Sequence, residues 1–219
     1  MGRRERLRGA DHQPQGITVG RTVRYSFAEI SLELFCGRYQ HQAKYLEFCR
    51  QCQSYGKCWA CPPLSFDTEE YLSPYRYVTV VASQVFFDAE ERKSGYSAER
   101  LKEITWSTLS RQKKIMFDRL MACERAVSGS LQLASGGCHL CPRCARADGC
   151  PCRCPEQLRY SLDAFGFDLT AITEDLMGIR LLWCRDALPE YYTLVHALLS
   201  PVPAIERVKH SFRDLQDEE

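Results

Sequence analysis

The 219-residue sequence has no unbroken apolar run of about 18 residues, so no segment is expected to cross a membrane as a helix. Net charge is equally scarce. The 29 Lys and Arg nearly cancel the 28 Asp and Glu, leaving +1 and no global field to recruit nucleic acid or an anionic membrane surface. A Gly-rich phosphate loop, a dinucleotide fingerprint, a Ser/His/Asp arrangement and paired catalytic carboxylates are all missing, which removes the common nucleotide-dependent and hydrolytic readings. MGRRERLRGADHQPQG carries charge with no apolar stretch behind it, so no secretory signal is expected and the cytoplasm is the default compartment.

Cysteine, by contrast, is plentiful, with 13 in the chain. In a reducing compartment persistent disulfides are rare, so dense cysteine spacing points to metal or redox chemistry. Six of the 13 fall within GGCHLCPRCARADGCPCRCPEQ, at Cys138, Cys141, Cys144, Cys150, Cys152 and Cys154. Four more form Cys49-x2-Cys52-x5-Cys58-x2-Cys61, followed by Pro62-Pro63.

The run Cys138-x2-Cys141-x2-Cys144 is close to the spacing by which bacterial ferredoxins hold a 4Fe-4S cubane. A tight loop can turn every third side chain inward, and Gly136 and Gly137 permit close approach of its backbone. Structural zinc prefers its thiolates in two separated pairs, so the triplet favours iron–sulfur, with zinc as the alternative. The fourth ligand is open between Cys150, Cys152 and Cys154, because the ferredoxin interval of three residues is not kept. Arg143, Arg146, Arg153 and Arg159 outnumber Asp148 and Glu156 nearby and would offset a thiolate cluster's charge. In the first loop, two CxxC pairs five residues apart are too close for an ordinary zinc ribbon. A metal held by Cys49, Cys52, Cys58 and Cys61 is the expected state, a redox-active CxxC pair the alternative.

Around these loops the chain reads as an α+β, mixed α/β fold with one main sheet, flanking helices and two cysteine-rich loops. Residues 1–20 read as a flexible arm, 21–210 as a single domain with loops at 49–61 and 138–154, and 211–219 as a charged tail. Alternation at Ile30, Leu32 and Leu34 favours a strand, and the residues up to Phe48 fit either period. DTEEYLSPY suggests a short helix capped by Asp67. YVTVVASQVFF, 77–87, reads as a strand covered on both faces. Apolar spacing from Ser97 to Ala134 predicts a long amphipathic helix, broken near Ser128-Gly129, with Gly136-Gly137 as its stop. Pro155 to Gly166 reads as a helix, 167–172 and 178–184 as strands, and Pro189 as the start of a helix using Tyr192, Val195 and Leu199.

Lone cysteines Cys36, Cys123 and Cys184 read as small core residues. Of the histidines His41, His139 and His196, the one inside a cysteine loop, His139, is the best placed for a metal. Tyr55 and Trp59 are expected to shield the first site, and Lys57 and Arg153 read as surface charge.

The motifs CRQCQSYGKCWACPP and CHLCPRCARADGCPCRCPEQLRYSLDAFGFDL together resemble a family of prokaryotic proteins known as predicted metal-binding, domain of unknown function 2284. The first element matches at Cys49, Cys52, Tyr55, Gly56, Trp59, Cys61, Pro62 and Pro63. The second matches at Cys138, Cys141, Cys144, Pro151, Cys152, Arg153 and Pro155, then at Ser161, Asp163, Ala164 and Gly166. The resemblance implies Cys152 as the fourth ligand and leaves Cys58, Cys150 and Cys154 as additions, with Asp163 where the family more often has Glu. It implies no reaction. The leading expectation is an iron–sulfur redox or electron-transfer protein serving a redox partner protein. The alternatives are a zinc-stabilised interaction module and an enzyme with a site-differentiated cluster.

Overall fold

The computed structural model describes residues 21–215; the arm at 1–20 and the last four residues lie outside the described part. In chain order the elements are β1 (Val23–Ser31), α1 (Leu32–Tyr39), α2 (Gln42–Gln51), α3 (Thr68–Leu72), β2 (Tyr77–Phe86), α4 (Ala89–Lys93) and α5 (Ala98–Ala126). They continue with β3 (Leu131–Leu133), α6 (Leu169–Met177), β4 (Tyr191–Ser200) and α7 (Ile205–Ser211). The four strands form one sheet in the order β1-β2-β4-β3, every pairing antiparallel.

Both faces of the sheet are covered, and the side-chain alternation of β2 and β4 divides the core accordingly. Val80, Val195, Ala197 and Leu199 face α1, α6 and a 3-10 turn at Leu162–Phe165, meeting Phe35, Tyr39, Phe165, Phe167 and Ile172. Val81 and Leu198 face α5 and α7, meeting Met116, Leu120, Cys123, Val208 and the fully buried Phe212. This two-sided cover is why 77–86 is apolar on both faces, as the sequence suggests.

Local signals that name a hydrogen bond agree with the structure. Asp67 caps α3 by accepting from the backbone N–H groups of Glu69 and Glu70, and Ser97 caps α5 by accepting from that of Arg100. Signals resting on apolar period alone fail in several places. The expected helix after Pro189 is strand β4, because in a strand buried on both faces Tyr192, Val195 and Leu199 mimic a helical stripe. The expected strand at 167–172 is the start of α6, capped by Asp168 on the Ala171 N–H and ended at Gly178 with φ +66°. Residues 178–184 form no strand. The long helix stops at Ala126, the chain reverses at Gly129 with φ +71°, and 131–133 forms β3. The stretch 155–166 holds two short 3-10 turns, Pro155–Gln157 and Leu162–Phe165, and not one helix. The alternation at Ile30 is β1, and the chain turns helical directly behind it at Leu32.

His196 lies fully buried in β4, its Nε2 2.9 Å from the hydroxyl of Ser135 and its Nδ1 without a partner. Burial, then the charges of Lys113 and His139, push its pKa from 6.5 down to about 3. The unfolded chain therefore takes up a proton that the folded one refuses. The stability from this site is complete above pH 6.5 and is lost as pH falls towards 3. Between pH 7 and 5 the wild type should lose about 2 kcal/mol more than His196→Gln, at about 1.4 kcal/mol per pH unit below the unfolded pKa. Urea melts at the two pH values read this directly, and parallel profiles for the two proteins would refute it.

Candidate metal centre

The first cysteine loop follows α2 and the second follows β3, and the two are held together at one neck. Ala134, just beyond β3, donates its N–H to Tyr160 O at 2.9 Å and accepts from Leu162 N at 2.8 Å, which closes the base of the loop 135–160. Ser161 N then donates to Ala60 O at 3.0 Å, pinning the first loop to the same neck. Behind it, Arg159 pairs with Glu124 of α5, both side chains nearly buried at 11% and 13% exposure, and Glu124 also accepts from Gln132 N at 2.8 Å.

Cys49 lies in the last turn of α2 and Cys52 caps its end; Gly56, at φ +66°, then lets its N–H reach Pro62 O at 2.9 Å. That closure turns Cys58 and Cys61 inward, and both are buried. In the second loop Gly137 passes so close that a Cβ there would touch the Cys58 and Cys61 sulfurs, at 3.7 and 3.9 Å. Gly136 and Gly137 are therefore not a helix stop, since α5 has ended ten residues earlier. They bring the second loop against the first cysteine pair.

The thiols of the two loops consequently interleave. Cys138 N–H donates to Cys58 Sγ at 3.2 Å, and Trp59 N–H donates to Cys144 Sγ at 3.4 Å. The Cys58 thiol is hydrogen-bonded to those of Cys61 and Cys144; the Cys61 contact, with the N–H bonds, holds Cys58 well below the ordinary thiol range. The same contact pushes Cys61 up. Cys49 is raised by burial first, then by the charges of Asp163 and Cys52.

A small cavity of about 10 Å3 lies in the second loop, lined by Cys138, Cys141, Cys144, Cys152 and Cys154 with Trp59, Leu140 and Leu158. Cys154 is hydrogen-bonded to Cys141 across it. Cys150 does not line it: its thiol is exposed and reaches Asp148 O at 3.6 Å. Of the three candidates for a fourth ligand, Cys152 and Cys154 therefore face the triplet. Among the described residues, no three His, Cys, Asp or Glu side chains already stand where they could hold a metal ion together.

Several side chains act here that spacing alone does not reveal. Arg146 of the second loop donates to three carbonyls of the first, Cys58 O at 3.0 Å, Cys61 O at 2.7 Å and Pro63 O at 2.6 Å. Its guanidinium also lies over the Trp59 ring, 4.8 Å from the centroid. Arg143 pairs with Asp148, Arg153 donates to Arg143 O, and Arg159 is taken by Glu124. The four arginines that the sequence offers as charge compensation thus brace loops. Lys113 of α5 is set against the thiols: it donates to Gly137 O and lies within electrostatic reach of Cys138, Cys61, Cys58 and Asp163, while Arg153 also lines the second loop's cavity. Trp59 covers the second loop's cavity, not the first loop alone, and donates through its indole N–H to Cys150 O at 3.1 Å. His139 packs edge-on against Phe117, and Cys123 is a buried core residue of the α5 face.

An antiparallel sheet carrying two interleaved cysteine loops defines a cysteine-rich mixed α/β domain. The chain belongs to the family DUF2284, predicted metal-binding protein, whose model matches residues 34–199. No curated protein and no solved structure matches it. The matched span includes both loops, the neck between them and every cysteine at which the family resemblance was drawn.

Proposed function

We propose that the chain is an iron–sulfur protein, with a 4Fe-4S cluster held in the 138–154 loop and a second metal at 49–61, acting in redox or electron transfer with a partner protein. The observation that supports this is that Cys138, Cys141, Cys144 and Cys152, with Cys154 beside them, line one small cavity together with Trp59, Leu140 and Leu158. An all-thiolate donor set suits iron–sulfur clusters, and apolar cover with backbone N–H groups on the sulfurs tunes their potential. Here Leu140 N donates to Cys138 Sγ and Cys154 N to Cys152 Sγ, both at 3.4 Å. The bound cluster would supply one-electron exchange; the chain's own part is to hold it dry and to set its charge through Lys113.

One observation favours a second reading, a structural zinc. A cavity of about 10 Å3 takes one water-sized sphere, room for a single ion, whereas a cubane requires the loop to open. Purification without oxygen followed by iron, acid-labile sulfide and zinc analysis separates the two. Four irons and four sulfides per chain, visible absorption and an EPR signal on reduction are the expected result, and they should vanish in Cys141→Ser. Stoichiometric colourless zinc with no sulfide would establish the second reading in place of the first.

A further inference from the structure

Beside the first loop lies a cavity of about 300 Å3, at the lower end of the range in which proteins hold small organic molecules. Three segments wall it: one face of α2, the stretch after Cys61, and the 3-10 turn Leu162–Phe165. From α2 come Gln42, Leu46, Cys49 and Arg50, spaced i, i+4, i+7 and i+8 along a single helical stripe. Pro62, Leu64 and Phe66 add apolar surface, and Asp163 adds a carboxylate.

Helices in proteins are stabilised chiefly by burying such a stripe against their neighbours. In α2 no residue is buried. Its stripe borders the cavity instead, and the helix is held at its start, where His41 N donates to Gly166 O at 2.8 Å and the Gln40 side-chain amide to Phe165 O at 2.9 Å. What would fill the space between helix and turn is not part of the described chain.

The carboxylate of Asp163 is short of a donor. Its Oδ1 is buried and has no hydrogen-bond partner, a costly state of which native proteins keep few examples. Nearby donors are spent elsewhere: Gln42 gives its amide to the Thr68 hydroxyl at 3.1 Å, Arg50 pairs with Glu47, and Lys113, within electrostatic reach, donates to Gly137 O. Among the described residues no cation forms an ion pair with Asp163.

From this arrangement we propose that the cavity binds a small organic ammonium ion, its amine set on the Asp163 carboxylate and its apolar body, about one ring in size, against Leu46, Pro62 and Phe66. An ammonium carries the donors and the charge that the carboxylate lacks, and the apolar walls favour a body that leaves water. Binding of this kind needs no metal in either loop.

Calorimetric titration of the full chain, purified without oxygen and with the metals it carries, tests this with benzylamine and with uncharged benzyl alcohol. Benzylamine should bind with a dissociation constant of roughly 1 mM or below, and the alcohol at least about tenfold more weakly. Asp163→Asn keeps the shape and removes the charge, so it should weaken benzylamine by about tenfold or more. Leu46→Trp fills the cavity from α2 with the carboxylate intact and should abolish binding of both compounds, which keeps the test decisive if Asp163→Asn folds poorly. No binding of benzylamine, equal affinity for amine and alcohol, wild-type affinity in folded Asp163→Asn, or binding that survives Leu46→Trp would each overturn the site.

Discussion

Gly166→Ala should destabilise the protein by about 3–5 kcal/mol, among the largest effects of any single methyl group in the chain. Two causes add. The residue sits at φ +81°, where a side chain costs about 1–2 kcal/mol. The new Cβ would also lie 2.4 Å from Gln42 Cα and 2.8 Å from Gln42 N, and these are backbone atoms at the start of α2 that cannot rotate away. Relief requires the 3-10 turn and α2 to part, which breaks the bond from His41 N to Gly166 O and separates Asp163 from Cys49. A melting temperature lower by about 10 °C is expected, at roughly 2–4 °C per kcal/mol for a domain of this size. Metal bound by the first loop should fall with it, while Gly178→Ala, also at positive φ but with nothing within 4 Å, should cost only the conformational part. Equal melting temperatures for the two variants would show that the contact with α2 is slack.

How much of this was legible beforehand depended on the kind of signal. Residues that act on their own neighbours could be read: Asp67 and Ser97 as caps and Gly166 as a stop. Residues read by apolar period alone could not. Tyr192, Val195 and Leu199 lie three and four apart, yet each reaches a core layer of a sheet covered on both sides, where any spacing satisfies burial. The segment 167–172 was misread for the opposite reason. FDLTAI is β-branched enough for a strand, and only the Asp168 cap on Ala171 N marks it as a helix.

At the metal centre, composition gave the donors and concealed their partners. Sequence distance separates Cys58 from Cys138 by 80 positions, so nothing in either loop announces the 3.2 Å contact between them. Cys58, which the family resemblance leaves as an addition to the motif, lies at the junction of both loops. Arg146 and Lys113 belong to the same class. Each is one cation among 29 Lys and Arg, and its role exists only once α5 and the neck at Ala134 have set the two loops side by side.

Arg146→Ala should therefore loosen both loops at once, although the residue is no ligand. Its guanidinium closes three carbonyls of the first loop from a position in the second, and charged hydrogen bonds of this kind contribute about 1.5–3 kcal/mol each when buried. The side chain is half-buried and the bonds are not additive, so a net loss of about 3 kcal/mol in the docking of loop on loop is the reasonable sum. Removal of a residue that only holds ligands in place typically weakens metal affinity about 10–100-fold, and release of bound metal to a chelator should speed up by a similar factor. Arg146→Lys should not rescue it: an ammonium can sit near one or two of Cys58 O, Cys61 O and Pro63 O, but lacks the planar fork that reaches them while stacking on Trp59. The informative readout is which metal leaves. Coupled loops lose metal from 49–61 and 138–154 together, whereas loss from one alone, or a release rate equal to wild type, would mean that the loops hold their metals independently and that Arg146 merely fastens a surface.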